Sequence, residues 1–252
     1  MQKFTNCALS IAGFDPSSGA GILSDIKTLE NNNVYGFGIC TAVTIQNDIH
    51  FQSVEWISFK TIQNQIDILF ERFSIKWIKI GLIENASILI DLVNYLHKKN
   101  KEVKIIWDPI LKASAGFQFH ETIAQSHLID ICKKIYLLTP NYEEIKMLLP
   151  DQSETTAAQT LSKYCGVLLK GGHRTDHKKG TDIVFTANQT YEFEGKYNSS
   201  YKKHGSGCVL SSALLAELSK GSTLHDACLH AKTYTLAFLK SNNTLLGYHN
   251  NG

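Results

Sequence analysis

A chain of 252 residues, 43% of them hydrophobic, is long enough to bury one substantial core. Its 25 lysines and arginines against 23 aspartates and glutamates leave a formal charge of +2, and the basic residues are scattered, which gives no support for a nucleic-acid or acidic-membrane partner. No stretch approaches the roughly 18 apolar residues of a membrane span, and the first apolar run is too short for a signal peptide, so the chain reads as cytoplasmic.

Apolar runs of strand length alternate with longer segments of helical period. CALSIAG at 7–13 precedes a helical segment at 18–32, FGICTAVTI at 37–45 one at 61–73, and WIKIGL at 77–82 one at 84–99. VKIIWDP at 103–109 leads to a helical segment at 120–134, IYLLTP at 135–140 to one at 141–149, and GVLLKGG at 166–172 to a polar hairpin through 182–195. Two helices, over about 208–220 and 223–240, close the chain. Leu210, Leu214, Leu215 and Leu218 predict that the first is buried along one side, and Thr223 with Asp226 starts the second as a capping box. Strands apolar on both faces and separated by helices belong to a mostly parallel sheet covered by helices, a doubly wound α/β fold. No linker or repeat divides residues 1–252, so one domain is expected.

Polar and glycine residues follow the predicted strands: Gly13 and Asp15, Gln46 and Asn47, Gly81, Asp108 before Pro109, Asn141, and Lys170 before Gly171 and Gly172. In open parallel sheets ligands bind outside the carboxyl edge, so these residues can converge on one crevice. Turn punctuation explains each glycine or Asx residue singly. It explains Gln46, Asp108 and Lys170 together less well. GFDPSSGAG at 13–21 is neither G-x-G-x-x-G nor a P-loop, so a nucleotide has to be held by other means. Asp25 falls in the following helix at a spacing that can turn it toward the crevice.

Gly205, Ser206 and Gly207 stand before the apolar helix at 208–220. Unpaired N–H groups and the positive end of the helix dipole favour an anion there, either a phosphate or a thiolate. The alternative is a small residue packed under a glycine turn. The six cysteines form no CxxC pair, so neither zinc nor a disulfide framework is suggested. Cys7, Cys40, Cys132 and Cys165 lie in or beside apolar runs as core residues, while Cys208 at the helix start is expected to titrate below the roughly 8.5 of a free thiol.

GFDPSSGAGILSDIKT, TAVTIQND, KIGL, WDPIL, LTPNYEE, LLKGGH and HGSGC occur in this order. Together they resemble the hydroxymethylpyrimidine and phosphomethylpyrimidine kinases of thiamine biosynthesis, in the ribokinase superfamily, over almost the whole chain from Ala8 to Phe238. The resemblance implies a three-layer α/β/α ribokinase-like fold, usually homodimeric. It also implies ATP-dependent phosphorylation of 4-amino-5-hydroxymethyl-2-methylpyrimidine and then of its monophosphate. By the same resemblance the substrate ring lies among Gly13, Asp25, Gln46, Leu82 and Ile110. Asp108 and Glu144 serve Mg²⁺, with Asn141, Lys170 and Lys232 on the nucleotide. Gly205, Ser206 and Gly207 form the anion hole, and Cys208 meets the substrate hydroxyl and takes its proton. The first motif commonly reads G-S/T-D-P-S-G-G-A-G, whereas this chain has Phe14 and Ser18. Three alternatives are weighed: a pyridoxal kinase, against which Gln46 argues; a cysteine hydrolase in which Cys208 attacks a carbonyl with His204 or His173 as base, for which a histidine nearby in sequence is no evidence of a triad; and a non-catalytic pyrimidine-binding module, against which Asp108, Lys170 and the GSGC turn count.

Overall fold

Runs apolar on both faces become the middle of a sheet, because only strands covered on both sides can bury them. In the computed structural model, which describes residues 6–112, 123–174, 176, 178–195 and 201–249, these are β1 (Cys7–Phe14), β2 (Tyr35–Gln46), β4 (Trp77–Ile80), β5 (Lys104–Trp107), β6 (Leu137–Leu138) and β7 (Gly166–Leu169). They pair in parallel. Antiparallel strands β3 (Phe51–Trp56), β8 (Asp182–Phe185) and β9 (Thr190–Phe193) finish the two edges, giving the order β3-β2-β1-β4-β5-β6-β7-β8-β9.

The strand period of two sends alternate side chains into different layers. Leu9, Ile11, Ile78, Ile80, Ile105 and Trp107 pack in one apolar cluster with α2 (Phe59–Arg72), α3 (Ala86–Lys99), α4 (Gln125–Cys132), α5 (Tyr142–Leu148) and α6 (Glu154–Leu161). Ala8, Ile106, Leu137 and Leu168 pack in a second cluster with α1 (Gly21–Asn31), α7 (Ser206–Ser219) and α8 (Leu224–Lys240). The result is the three-layer α/β/α, ribokinase-like arrangement. Lys79 alternates with Ile78 and Ile80 and therefore faces α7.

Two elements depart from the sequence-based expectation, and two more were not foreseen. Helix α7 is buried continuously from Cys208 to Ala216, not along one side, because it lies between the sheet, α1 and α8. The fourth helix spans only Gln125–Cys132, and the start of the segment expected to be helical, 120–122, lies outside the described residues. Strand β3 carries Gln52, Ser53 and Glu55 and lacks an apolar run; its pairing with β2 creates it. Helix α6 carries Thr155 and Thr156, poor helix formers, in its first turn and is started by the Ser153 hydroxyl accepting from the Thr156 N–H. Thr223 caps α8, accepting from the Asp226 N–H at 3.2 Å, but the Asp226 carboxylate accepts from the Thr223 hydroxyl and not from its N–H, so the expected capping box is only half formed.

Candidate active site

A cavity of about 630 Å³ opens along the carboxyl edge of the sheet. Gly13, Gln46, Leu82 and Ile110 reach it from β1, β2, β4 and β5. Asn141, Glu144, Lys170 and Lys232 line it over the β6–β8 half, and Gly205, Ser206, Gly207 and Cys208 bring in the start of α7 between them. Twelve of the fourteen residues singled out in the sequence thus share one wall; Asp25 and Asp108 do not.

Gly205 precedes α7 with φ at +74°, and a Cβ there would stand 2.0 Å from the Gly19 carbonyl oxygen, so both backbone and space demand glycine. No side chain caps α7. The N–H groups of its first turn are left to face the cavity, an arrangement that holds anions. Lys170 adds a full positive charge beside them: its Nζ would lie 3.4 Å from a Cβ on Gly207.

Beneath this cradle runs a chain of buried charges. Lys79 Nζ lies 2.6 Å from Asp25 Oδ1 and 3.9 Å from Asp108 Oδ2. Ser10 and Ser212 also donate to Asp25, while Lys170, Thr139 and Ser211 donate to Asp108. Asp25 and Asp108 have no solvent exposure, and lysine and hydroxyl donors occupy their oxygens, so both lie behind the cavity wall and not on it. Burial works to raise Asp108, but Lys170 and Lys79 outweigh it and hold the carboxyl below its usual range. Burial opposes the charge on Lys170 too, and Asp108 and Glu144 carry it above the usual lysine value. Glu144 goes the other way: burial pushes its carboxyl up to about 7 in spite of Lys170. Lys232 is already paired with Asp182 at 2.8 Å and with the Gly180 carbonyl.

The sequence model of the phosphomethylpyrimidine kinase family matches residues 15–252. The chain belongs to this family. The hydroxymethylpyrimidine/phosphomethylpyrimidine kinase of Aquifex aeolicus is 31% identical over 94% of this chain and 96% of its own length. The enzyme of the same name from Staphylococcus aureus strain MRSA252 is 30% identical over 90% of this chain and 85% of its own. Among solved structures, the phosphomethylpyrimidine kinase of Clostridium difficile 630 superposes with a TM-score of 0.77 at 28% identity, covering 91% of this chain and 97% of that one. An ADP complex of Bacillus subtilis pyridoxal kinase gives a TM-score of 0.81 at 25% identity, covering 94% and 93%.

In this kinase Cys208 does not have the depressed pKa expected of a helix N-terminus. The residue is 7% exposed, and burial pushes its thiol up to about 11. Lys79 and the Gly21 N–H act to lower it but are outweighed, with Asp25 and Asp108 adding to the rise.

Lys79, Ser211, Ser212 and the Asp15–His204 pair escaped the sequence reading of the site. Lys79 could have been found, since a lysine inside the apolar run WIKI has to be paired if it is buried. Ser211 and Ser212 read as indifferent helix residues. Asp15 was noted only as a strand-end residue, and its partner His204 lies 189 positions away. No sequence period connects them.

Proposed function

We propose that this kinase transfers the terminal phosphoryl group of ATP to hydroxymethylpyrimidine, and then to its monophosphate, in thiamine biosynthesis. The observation that carries the reading is the uncapped N-terminus of α7, with Lys170 beside it, standing between the pocket over β1–β5 and the Asn141–Glu144 wall. Phosphoryl transfer needs acceptor and donor in line, with positive charge where the transferred group passes. The Lys170 ammonium and the first-turn N–H groups of α7 supply that charge, and the cavity extends to either side of them.

At the ring end Gln46 offers a donor and an acceptor to the aminopyrimidine edge, and Leu82 and Ile110 offer apolar contacts, with Gly13 keeping the floor open. Lys232 and Asn141 shape the nucleotide end. Asp25 and Asp108 act from below, fixing Lys79 and Lys170. Cys208, a neutral thiol, orients the acceptor hydroxyl. The acceptor's proton leaves to an oxygen of the transferred phosphoryl group, which suits a loose transition state that demands little of a base.

The donor set suits magnesium held largely by water and phosphate, since no group of three or more His, Cys, Asp or Glu fit for a metal occurs among the described residues. Glu144, on the cavity wall, is the carboxylate that would meet it; Asp108 is occupied by Lys170 and Ser211. Bound there, Mg²⁺ would offset charge on the nucleotide phosphates.

Val43, Ile45 and Ile49 are exposed on and beside the β2–β3 hairpin, apolar surface consistent with a homodimer. The six cysteines are free, as in a reducing cytoplasm, and no helix among the described residues is long and apolar enough to cross a membrane. Residues 1–252 act as a single kinase unit. The test supplies Mg-ATP with hydroxymethylpyrimidine, its monophosphate or pyridoxal and measures ADP and phosphorylated product. Faster turnover of pyridoxal than of both pyrimidines would overturn the proposal.

A further inference from the structure

The loop at 15–21 is organised around one buried carboxylate. Asp15 is 1% exposed and accepts from the Ser17 N–H, the Ser17 hydroxyl and the Ala20 N–H, each at 2.9 Å. Burial works to raise the Asp15 carboxyl, but hydrogen bonds from His204 and Ser17 outweigh it and keep it ionised at neutral pH. Its remaining partner comes from the far end of the chain: His204 Nε2 lies 2.8 Å from Asp15 Oδ2. An ionised carboxylate can only accept, so Nε2 carries the proton.

His204 is the residue before Gly205, where the anion cradle begins. Its backbone N–H donates to the Leu245 carbonyl at 2.8 Å, and Lys203 next to it donates to the carbonyls of Asn242 and Thr244. The imidazole edge lies over Gly19: a Cβ on that glycine would stand 2.6 Å from His204 Cδ2 and 2.8 Å from Leu246 Cδ2. Both backbone and ring are therefore fixed. Yet Nδ1 is buried and has no partner among the described residues. A histidine kept only to complete a core would have both nitrogens satisfied, as buried polar groups almost always are. This ring leaves one unsatisfied while holding the bond to Asp15.

We propose that His204 is a positioning residue that locks the substrate-side loop at 15–21 to the phosphoryl-side turn at 205–207, so that acceptor and anion cradle keep one register. It touches no reacting atom. Its effect passes through Asp15 on one side and Gly205 on the other. The proposal rests on the kinase reading above for its catalytic consequence, because transfer between two bound groups depends steeply on their alignment.

The test compares full-length wild type with His204→Leu, His204→Gln, Asp15→Asn, the His204→Leu/Asp15→Asn double variant and Gly19→Ala. The readouts are kcat and KM with hydroxymethylpyrimidine and Mg-ATP, ADP formed per phosphorylated product, and hydrogen exchange at the Ser17 and Ala20 amides. His204→Leu is expected to lose about 10-fold to 10²-fold in kcat with the KM for ATP unchanged. ADP per product should rise above one as water reaches the loosened centre, and the two amides should exchange faster. His204→Gln, which can still donate to Asp15, should recover most of kcat. The double variant should be no slower than its slower parent, because both changes break one bond. Gly19→Ala displaces the ring without removing it and should match His204→Leu, which keeps the test open if the leucine variant does not fold. Wild-type kcat and wild-type exchange in His204→Leu would overturn the proposal, as would losses that multiply in the double variant. A wild type inactive on both pyrimidines would sink the substrate reading alone. Exchange at Ser17 and Ala20 would then decide for or against the lock.

Discussion

Lys79 Nζ and Asp25 Oδ1 are 2.6 Å apart, and neither side chain has any solvent exposure. The ammonium projects from the middle of the sheet and the carboxylate from α1, and Ser212 of α7 donates to the same oxygen at 2.7 Å. Three elements therefore meet on one charge pair directly under the anion cradle.

Removing one member leaves a buried charge uncompensated, which typically costs about 3–5 kcal/mol. Lys79→Met and Asp25→Asn should each destabilise by about that much, and the double variant by less than the sum. Urea unfolding of the four proteins measures this. Additive losses would show that the pair is not a unit.

The thiol of Cys208 titrates near about 11 and so stays protonated through neutral pH. Its thiolate grows only as pH rises toward that value. Iodoacetamide should therefore label Cys208 slowly at pH 7–8, with a rate still climbing above pH 9. Cys208→Ser should keep most of kcat. A loss of about 10²–10⁴-fold in the serine variant would instead make the thiol the proton acceptor.

Gln46→Leu leaves a ring donor or acceptor unpaired, a loss of about 1–3 kcal/mol. The expected result is a fall in kcat/KM for the pyrimidine with nucleotide binding unaltered. Wild-type kcat/KM would remove Gln46 from the ring site.

Glu144 is raised from an ordinary value near 4.5 to about 7. A carboxyl raised on folding contributes stability that is fully present below its unfolded value and is lost as pH rises through its folded one. The Tm of the ligand-free protein should therefore drop between about pH 5 and 8, and Glu144→Gln, which can still accept from the Asn141 N–H, should flatten that drop. Parallel Tm curves for the two proteins would contradict this.

Ser18 adopts a left-handed φ of 59° where the family pattern carries glycine. Ser18→Gly relieves that conformation, offset in part by the greater freedom of unfolded glycine, for a net gain of about 0.5–1 kcal/mol. Thermal unfolding would register it, and an unchanged Tm would show that the serine is unstrained.

Sequence made the edge of the sheet legible because turn and polar residues cluster where parallel strands end; Gln46, Asn141, Lys170 and the GSG turn were placed that way. At Asp25 and Asp108 it did not reveal the burial, since a carboxylate near a ligand edge looks the same in one dimension whether it faces the cavity or a buried lysine. For Cys208, the helix terminus was visible and the burial was not. Burial depends on α1, β1 and α8 closing around α7, which no local spacing encodes. Strand β3 was invisible for a similar reason: its partner, not its own polarity, makes it a strand.

The placement of Ser211 and Ser212 has a consequence for biogenesis. Translation delivers Asp25, Lys79 and Asp108 long before α7, so on a ribosome-bound chain those carboxylates wait without the donors Ser211 and Ser212 and the α7 side of the sheet lies uncovered. The uncapped first turn of α7 does not exist until residues past Gly205 emerge. Final closure of this kinase is thus a late event in synthesis, and a chain terminated before α7 would present a wide apolar sheet face to chaperones and to other nascent chains.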